Sequence, residues 1–434
     1  MTKTVSTHFG EPLSPESKKL VSEVKLKINQ PIHPNFDNDF NVYRFVMAAE
    51  RMHKNHKEIV ETGAKTLNSH LRIRKALKLD SLEDIPFEKN PIFARRLMPR
   101  GTIQRVTDDS NRLLWFIEYA SINVEGIAHG MRSSDACLFQ FWQFEHMLRR
   151  VNEQEELTGK LSALRHVVDM NGYEINPFTM VFVTSGTLSY YSQLFHYDNY
   201  PELVTPIEMV NIAKWIHVPY KLIRTMMPSG FSERFRLHDA HFLQVLKEDI
   251  KEEDIPESLG GKNPFVRCIP AINLKAEEYW VPIEHKVIET LETIHVAPRK
   301  MKHLLVDVEQ PNSQLAWYFK TDGDVYFGIY YQPSGNVING KEKEKEIDTD
   351  SMEMVYPWLK IGARLVHEQG SVECALPGKY FVIFSNKNSW IQRRTVEFHL
   401  QINCNSNAKR VHYDGTLSPA EPLIIQPYSE RQFD

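Results

Sequence analysis

Apolar residues recur along the chain with three different spacings, and each spacing predicts a different kind of structure. From residue 13 to about residue 80 the spacing is helical, behind a cap formed by Ser14 and Pro15. Between residues 96 and 262 dense apolar runs alternate with helical stretches, as in β-α-β units. From about residue 281, strand-length pieces separated by turn residues predict an antiparallel β-sandwich.

These spacings divide the chain into five predicted segments. They are a helical module (1–95), an α/β domain (96–262), a linker (263–280), a β-sandwich (281–403) and a loose C-terminal tail (404–434). The strands predicted for the α/β domain are residues 112–120, 164–172, 207–213 and 234–239, with a further candidate at 179–184. The fold class expected is therefore α/β with a mixed or parallel sheet, followed by an antiparallel sandwich.

Composition and charge exclude several kinds of protein. The 434 residues carry a formal net charge of −4, so the composition gives no general attraction to nucleic acid or anionic lipid. No apolar run is long enough to span a bilayer, and the first residues lack the apolar core of a signal peptide. The four cysteines are scattered, as in a reducing compartment. We expect a cytoplasmic protein with transient association to intracellular membranes.

The common motifs of catalysis and metal binding are missing from the sequence. The sequence contains neither of the two glycine-rich phosphate-binding motifs, G-x-G-x-x-G and G-x-x-x-x-G-K-[ST], and it also lacks the G-x-S-x-G elbow of hydrolases. His53 with His56, and His238 with His241, have helical spacing but lack the acidic partner of the H-E-x-x-H motif. We therefore predict no catalytic residue, no metal and no enzymatic activity, although an α/β enzyme stays open as an alternative.

Residues 214–227 carry more apolar surface than a helix needs for a core face. On a helix, Lys214, His217, Lys221 and Arg224 form one narrow basic stripe. Apolar side chains cover the remaining arc of roughly 200°, against about 100° for an ordinary surface helix. Two interpretations stay open: a helix buried on several sides, or a mobile wall over an apolar cavity that contacts a membrane when it opens.

Several motifs around this helix resemble one family. "YPE" at Tyr200, an apolar strand ending in Asn211-Ile212-Ala213 and "IPESLGG" before residue 262 are similar to the CRAL-TRIO lipid-binding domain. "VVDMNGY" resembles the D-x-x-G end of one of its strands, and "LSPESKKL" and "YRFVMAAERMHKNHKEIVE" resemble its N-terminal helical module. "AWYFKTDGDVYFGI" and "PGKYFVIFSNKNSWIQRRTVEFHL" resemble a GOLD domain. Their order is that of the animal Sec-fourteen-like proteins with a C-terminal GOLD domain.

The resemblance implies a cavity that holds one lipid behind a gate helix. The lipid would be a phospholipid such as phosphatidylinositol, or a tocopherol- or retinoid-like molecule, and no other cofactor is expected. Glu202 and Arg234 match the family's head-group positions, while an exposed surface carboxylate is the alternative for Glu202. Membrane contact falls to Lys214, Lys221 and Arg224. Lipid contact falls to seven gate-helix residues: Trp215, Ile216, Pro219, Tyr220, Ile223, Met226 and Met227.

The function that follows is non-enzymatic binding and transfer, or presentation, of a single lipid. The alternative is an adaptor of the same fold whose cavity is collapsed, and which acts through protein interactions of the GOLD domain. Large side chains such as Trp115 or Phe182 would fill the cavity in that case. In the GOLD domain, Trp390 with Arg393 and Arg394 could meet a partner or a membrane, or Trp390 could belong to the sandwich core.

Overall fold

A computed structural model describes residues 7–83, 97–173, 199–213, 217, 231–282, 285–332, 347–404 and 407–425. The chain divides into two compact units. The first comprises Met1–Leu71, Leu79–Val124 and Gln140–Leu274. The second comprises Arg72–Lys78, Glu125–Phe139 and Lys275–Asp434.

Helices account for the N-terminal part of the described chain, as the helical spacing predicts. Ser14 caps the first helix by accepting a hydrogen bond from the backbone N–H of Ser17, and Asn38 caps the second through the N–H of Phe40. The α-helices, numbered over the described residues, are α1 (Pro15–Lys27), α2 (Asp39–Met52), α3 (His56–Leu77), α4 (Val124–Gly130), α5 (Ser133–Thr158), α6 (Phe231–Arg234), α7 (Phe242–Leu246) and α8 (His285–Glu289).

A five-stranded mixed sheet forms the centre of the first unit. Its strands lie in chain order, and all pairs are parallel except the antiparallel pair β1–β2. They are β1 (Ile103–Thr107), β2 (Leu113–Glu118), β3 (Leu164–Asp169), β4 (Val204–Val210) and β5 (Phe235–Leu237). The four strands predicted at 112–120, 164–172, 207–213 and 234–239 are confirmed, whereas β1 was not predicted; the candidate strand at 179–184 lies outside the described residues.

One face of this sheet is covered by the first unit's own core. Leu114, Phe116, Val167 and Val210 point to that face and pack against Phe242, Leu246, Ile250, Ile255 and Leu259. The covering residues come from α7 and the segment that follows it, so this face is filled by the chain itself. The opposite face is therefore the side of the sheet on which a ligand could lie.

Two antiparallel sheets form most of the second unit. The four-stranded sheet has the order β10-β9-β12-β7, and the six-stranded sheet has the order β11-β8-β13-β14-β15, with β6 pairing β13. Phe319 of the larger sheet meets Phe327 and Phe384 of the smaller one at ring distances of 5.0 and 5.1 Å, so the two sheets pack face to face. Their strands are β6 (Glu292–Val296), β7 (Met301–Val308), β8 (Ser313–Thr321), β9 (Val325–Gln332), β10 (Glu353–Ile361), β11 (Glu368–Cys374), β12 (Gly378–Ser385), β13 (Arg394–Cys404), β14 (Asn407–Val411) and β15 (Leu417–Ala420).

The structure corrects the prediction of a loose tail after residue 403. Strands β14 and β15 pair with β13 and with each other, so residues 407–420 extend the larger sheet. Leu423 is buried against Ala316 and Tyr318. The prediction was wrong because both strands are short and show no clear apolar alternation, and their pairing depends on the long strand β13, to which β14 pairs directly.

The interpretation of Trp390 as a sandwich-core residue is also wrong, because its side chain is 78% exposed. Among the residues that the structure describes, no helix combines the length and the apolar composition that crossing a membrane requires.

Candidate functional site

The face of the central sheet opposite the first unit's own core carries two rows of mostly apolar side chains. Cα partners across the strands align Trp115, His166, Ile207 and Phe235 in one row. The second row is Ile117, Val168, Met209 and Leu237. Neighbouring parallel strands place such partners on the same side of the sheet, so the rows form one continuous surface. We call it the apolar sheet face.

Burial differs between the two halves of the apolar sheet face. On β2 and β3, Trp115, Ile117 and Val168 are buried. On β4 and β5 the four apolar side chains remain only half-buried: Ile207, Met209, Phe235 and Leu237. Apolar side chains in the middle of a sheet are normally covered, because leaving them in water costs about 25 cal/mol per Å². The half with β4 and β5 therefore offers apolar surface to a further molecule.

Trp115 is held at one end of this face. Its ring stacks on the imidazole of His166 with the ring centroids 3.7 Å apart and the planes 15° apart. The indole therefore occupies the β2–β3 half of the face beside its row neighbour, rather than the β4–β5 half.

Two motif residues from the sequence meet at the carboxyl ends of the parallel strands. Asn211 follows β4 with a positive φ of 55°, a conformation that asparagine tolerates. Its side-chain amide donates a hydrogen bond of 2.8 Å to Asp169 Oδ1, at the end of β3. The Asp of "VVDMNGY" and the Asn of the Asn-x-Ala motif therefore fasten two adjacent strand ends together.

The glycine pair before residue 262 serves close packing. A Cβ atom on Gly261 would lie 2.2 Å from the carbonyl oxygen of Ile255, which is too close for any side chain. Gly260 has φ +87°, in the left-handed region that favours glycine. The pair folds the chain back over Ile255 and Leu259, which belong to the core on the covered face.

A buried ion cluster lies at the amino end of β4. The carboxylate of Glu202 is fully buried and accepts hydrogen bonds from Arg51 Nε at 2.8 Å, Arg51 Nη2 at 3.0 Å and Arg234 Nη1 at 3.1 Å. The surface-carboxylate alternative for Glu202 is therefore wrong. Arg51 comes from the end of α2 and Arg234 directly precedes β5, so three separate elements meet here. We call these three residues the arginine–glutamate cluster.

The electrostatics of this cluster keep Arg51 charged. Burial alone would lower the pKa of Arg51, but the carboxylates of Glu202 and Glu233 outweigh that effect and raise it, so the guanidinium stays charged. Two arginines share the one buried carboxylate, and Glu233 supplies a second negative charge, so the four side chains together are formally neutral. Arg51 is 28% exposed at its side chain and contacts the exposed Glu233 at 3.4 Å. Glu202 occupies the Nε and Nη2 atoms of Arg51, so a phosphate would meet this guanidinium at Nη1, in competition with the exposed Glu233.

Of the site residues predicted from sequence, the structure brings Glu202 and Arg234 together. The seven predicted lipid contacts of the gate helix and its three basic residues (Lys214, Lys221 and Arg224) lie outside the described residues, as does Phe182. Arg51 was not singled out from the sequence. No local signal pointed to it, because its partner Glu202 is 151 residues away.

A buried network of opposite charges supports the covered face. Arg165 contacts Glu208 at 2.7 Å, Asp249 at 2.5 Å and Asp108 at 3.3 Å. Arg112 also pairs with Asp108, at 2.8 Å, and Arg236 with Glu208, at 3.3 Å, so three arginines balance three carboxylates and we assign the network a structural role. Within the described ranges, no group of three or more His, Cys, Asp or Glu side chains is arranged to hold a metal ion.

The fold and the site together define a class of protein. A mixed α/β sheet with one self-covered face and one half-open apolar face, bordered by a charged cluster, is the arrangement expected for binding a molecule with an apolar body and a polar end.

Comparison with known proteins identifies the family. Residues 100–261 match the CRAL/TRIO domain, residues 13–82 match a domain of unknown function (DUF8435), and residues 278–412 match the F28H7.8-like C-terminal domain. The chain therefore contains a CRAL/TRIO domain, which supports a lipid-binding protein. The GOLD assignment for the sandwich is not confirmed by these matches.

Relatives cover most of the chain. The CRAL-TRIO domain-containing protein F28H7.8 of Caenorhabditis elegans is 23% identical over 376 residues, 86% of this chain and 87% of its own. Protein ctg-1 of the same organism is 22% identical over 386 residues, 86% of this chain and 94% of its own. Among solved structures, that of Sfh5 is similar with a TM-score of 0.38 and 15% identity, over 62% of this chain and 92% of that one.

Proposed function

We propose that this protein binds one lipid molecule without chemical change and transfers or presents it. The observation that carries the proposal is the apolar sheet face, whose side chains on β4 and β5 remain half-buried although the opposite face is fully packed. The acyl part of the lipid lies along these rows. The polar end lies toward the arginine–glutamate cluster.

The energetics of lipid extraction require such a surface. Taking an acyl chain out of a bilayer costs about 0.8 kcal/mol for each CH₂ group that becomes exposed to water. A carrier therefore needs an apolar surface of matching extent, and rows of Ile207, Phe235, Met209 and Leu237 supply part of it. The family's gate helix, assigned from sequence to residues 214–227, supplies the opposite wall in this proposal.

The head group that fits the cluster best is a phosphate-bearing one. Arg51 and Arg234 are both fixed by Glu202, so their guanidinium groups are oriented before a ligand arrives. A pre-oriented pair of arginines favours an anionic phosphodiester such as that of phosphatidylinositol over a tocopherol- or retinoid-like alcohol.

The test is mass spectrometry of the protein purified from a lipid-rich eukaryotic host. We expect one lipid per chain, enriched in an anionic phospholipid. Recovery of protein without a stoichiometric lipid would contradict the proposal.

A pair of variants locates the lipid on the apolar sheet face. Met209→Trp adds bulk in the middle of the half-buried rows, and we expect it to abolish lipid loading. Leu157→Trp adds the same bulk at a position of α5 that is 82% exposed, and it should load lipid normally. If the two variants carried equal amounts of lipid, the apolar sheet face would be excluded as the place where the lipid binds.

Transient membrane contact through the gate helix is part of the proposal. Lys221 and Arg224 belong to its basic stripe, and three basic residues near anionic lipid provide about 3 kcal/mol, enough for a reversible visit. Changing both to Glu should slow lipid transfer between vesicles. Unchanged transfer would exclude the stripe from membrane contact.

An adaptor with a collapsed cavity is the second candidate, and the position of Trp115 favours it. The indole and His166 occupy the β2–β3 half of the apolar sheet face, which shortens the space for a ligand. An adaptor would be recovered lipid-free, and Trp115→Ala would then be the variant that gains a lipid. In either case, we propose on the sequence motifs that the sandwich is a GOLD domain that binds a protein partner.

A further inference from the structure

Two large apolar side chains project into solvent from the loop between β12 and β13. Trp390 is 78% exposed and Ile391 is 88% exposed. A single exposed apolar residue needs no explanation, but two adjacent ones at the end of a sandwich form a contact surface. We call residues 386–393 the tip loop.

The tip loop is firmly held. Asn386 is buried, and its side-chain amide donates hydrogen bonds to Val296 O at 3.1 Å and Gln392 O at 2.8 Å. The hydroxyl of Ser389 also donates to Gln392 O, at 2.9 Å. These bonds close the loop at both ends, so the exposed pair is presented by an ordered backbone and loses little conformational entropy on binding.

A cation also fixes the indole. The guanidinium carbon of Arg299, from the turn between β6 and β7, lies 3.8 Å from the centre of the Trp390 ring. Arg299 N–H donates to Asn386 O at 3.1 Å, so the two loops are joined through their backbones as well. The apolar pair therefore stands beside a positive charge rather than within an apolar groove.

The surroundings of the tip loop are basic, although the whole chain has a net charge of −4. Two acids lie on the adjacent β8–β9 turn: Asp324, already paired with Lys360 at 3.1 Å, and Asp322, which accepts from the N–H of Thr395. Four exposed cations surround the apolar pair: Arg299, Lys300, Lys387 and Arg393.

We propose that the tip loop docks the protein on an anionic lipid surface. Trp390 enters the region between head groups and acyl chains, which tryptophan prefers, and Ile391 enters beside it. The four cations bind the anionic head groups. A protein partner fits less well, because two side chains fall far short of the roughly 1,200 Å² that a stable protein interface buries.

This docking surface belongs to the sandwich, and it needs neither a bound lipid nor the gate helix. It therefore stands or falls independently of the proposed lipid cargo. Each basic residue near an anionic surface strengthens binding about fivefold, so docking by the tip loop is reversible and weakened by salt.

The test uses the full chain with vesicles of phosphatidylcholine, alone or mixed with phosphatidylserine. We expect binding to the mixed vesicles only, and a loss of about tenfold or more in Trp390→Ala/Ile391→Ala, since the apolar insertion is removed. The matched control is Leu376→Ala, which truncates a 53% exposed residue at the opposite end of β12. It should bind as the parent does.

Charge is tested separately. Lys387→Glu/Arg393→Glu should lose binding, while Lys409→Glu, opposite residue 402 at the far end of β13, should keep most of it. If the Trp390/Ile391 variant binds vesicles as well as the Leu376 control does, the proposal is overturned and the tip serves a protein partner instead. All these positions are exposed, so the melting temperature of each variant should match that of the parent.

Discussion

Glu202 allows the sharpest test of the arginine–glutamate cluster, because one conservative change removes the charge that orients both arginines. Glu202→Gln keeps the size of the side chain. It replaces a carboxylate that accepts three hydrogen bonds, at 2.8, 3.0 and 3.1 Å, by an amide whose nitrogen faces a donor.

The expected cost follows from burial. Breaking a fully buried ion pair costs about 3–5 kcal/mol, and water reaching Arg51, whose side chain is 28% exposed, offsets part of that. We expect a local destabilisation of about 2–4 kcal/mol, measured as faster hydrogen exchange in the peptides that cover α2 and β4. The ratio of bound anionic phospholipid to phosphatidylcholine should fall about tenfold, since one oriented charge-assisted bond contributes about 1.4 kcal/mol.

Glu155→Gln is the matched control. Glu155 is fully buried in the same unit and accepts from Arg44 Nη2 at 2.6 Å and Ser162 N at 2.9 Å. It should destabilise to a comparable degree without altering the lipid ratio. If both variants changed the lipid ratio equally, or if Glu202→Gln left it unchanged, the cluster would be structural and the head-group assignment refuted.

Three further predictions concern stability. Gly261→Ala should destabilise the first unit by about 3 kcal/mol, because its Cβ would lie 2.2 Å from a backbone oxygen. Gly260→Ala should cost only about 1 kcal/mol, from backbone strain, because its Cβ meets the movable end of a leucine side chain at 2.9 Å. Equal urea midpoints for the two variants would contradict this prediction. Burial opposes it, but the nearby His238, whose Nε2 lies 3.4 Å from Glu208 Oε1, and the hydrogen bonds from Arg165 hold the pKa of Glu208 at about 2. Its contribution of about 3 kcal/mol is therefore present above pH 4.5 and lost as the pH falls toward 2. Glu208→Gln should lower the free energy of unfolding at neutral pH and make it depend less on pH between pH 4.5 and 2. An unchanged pH dependence in this range would argue against the network. Burial, opposed by Arg132, raises the pKa of Glu368 to about 7, so its contribution to the free energy of unfolding is complete below pH 4.5 and lost as the pH rises through 7. In Glu368→Gln the stability of the second unit should no longer depend on pH over this range. A pH dependence that persists in the variant would assign it to another group.

The sequence anticipated the sheet well because its strands are dense apolar runs. Leu113–Glu118 and Leu164–Asp169 are buried on both sides, and such runs are visible within a window of a few residues. Strand β1 was missed because its residues "IQRVT" are half-exposed, so that no apolar pattern marks them. The polar strands β14 and β15 were missed for the same reason.

The candidate site was only half visible in the sequence. Glu202 and Arg234 were found through a family motif, which names positions but not their contacts. Arg51 contributes two of the three hydrogen bonds to Glu202, yet nothing near residue 51 points to residue 202. Trp390 shows the converse, since its apolar character suggested the core and only the fold placed it outside.

Local pattern by itself determined the helices at the N-terminus, the main strands, the two kinds of sheet that they form and the resemblance of the central part to a CRAL-TRIO domain. These features follow from the spacing of apolar residues and from short motifs, which act over a few residues of chain. Tertiary structure alone decided which face of the central sheet stays half-open, which arginines share Glu202, and that Trp390 and Ile391 face solvent. Burial and ion pairing depend on groups that the folded chain brings together from distant positions, and no local window contains both partners.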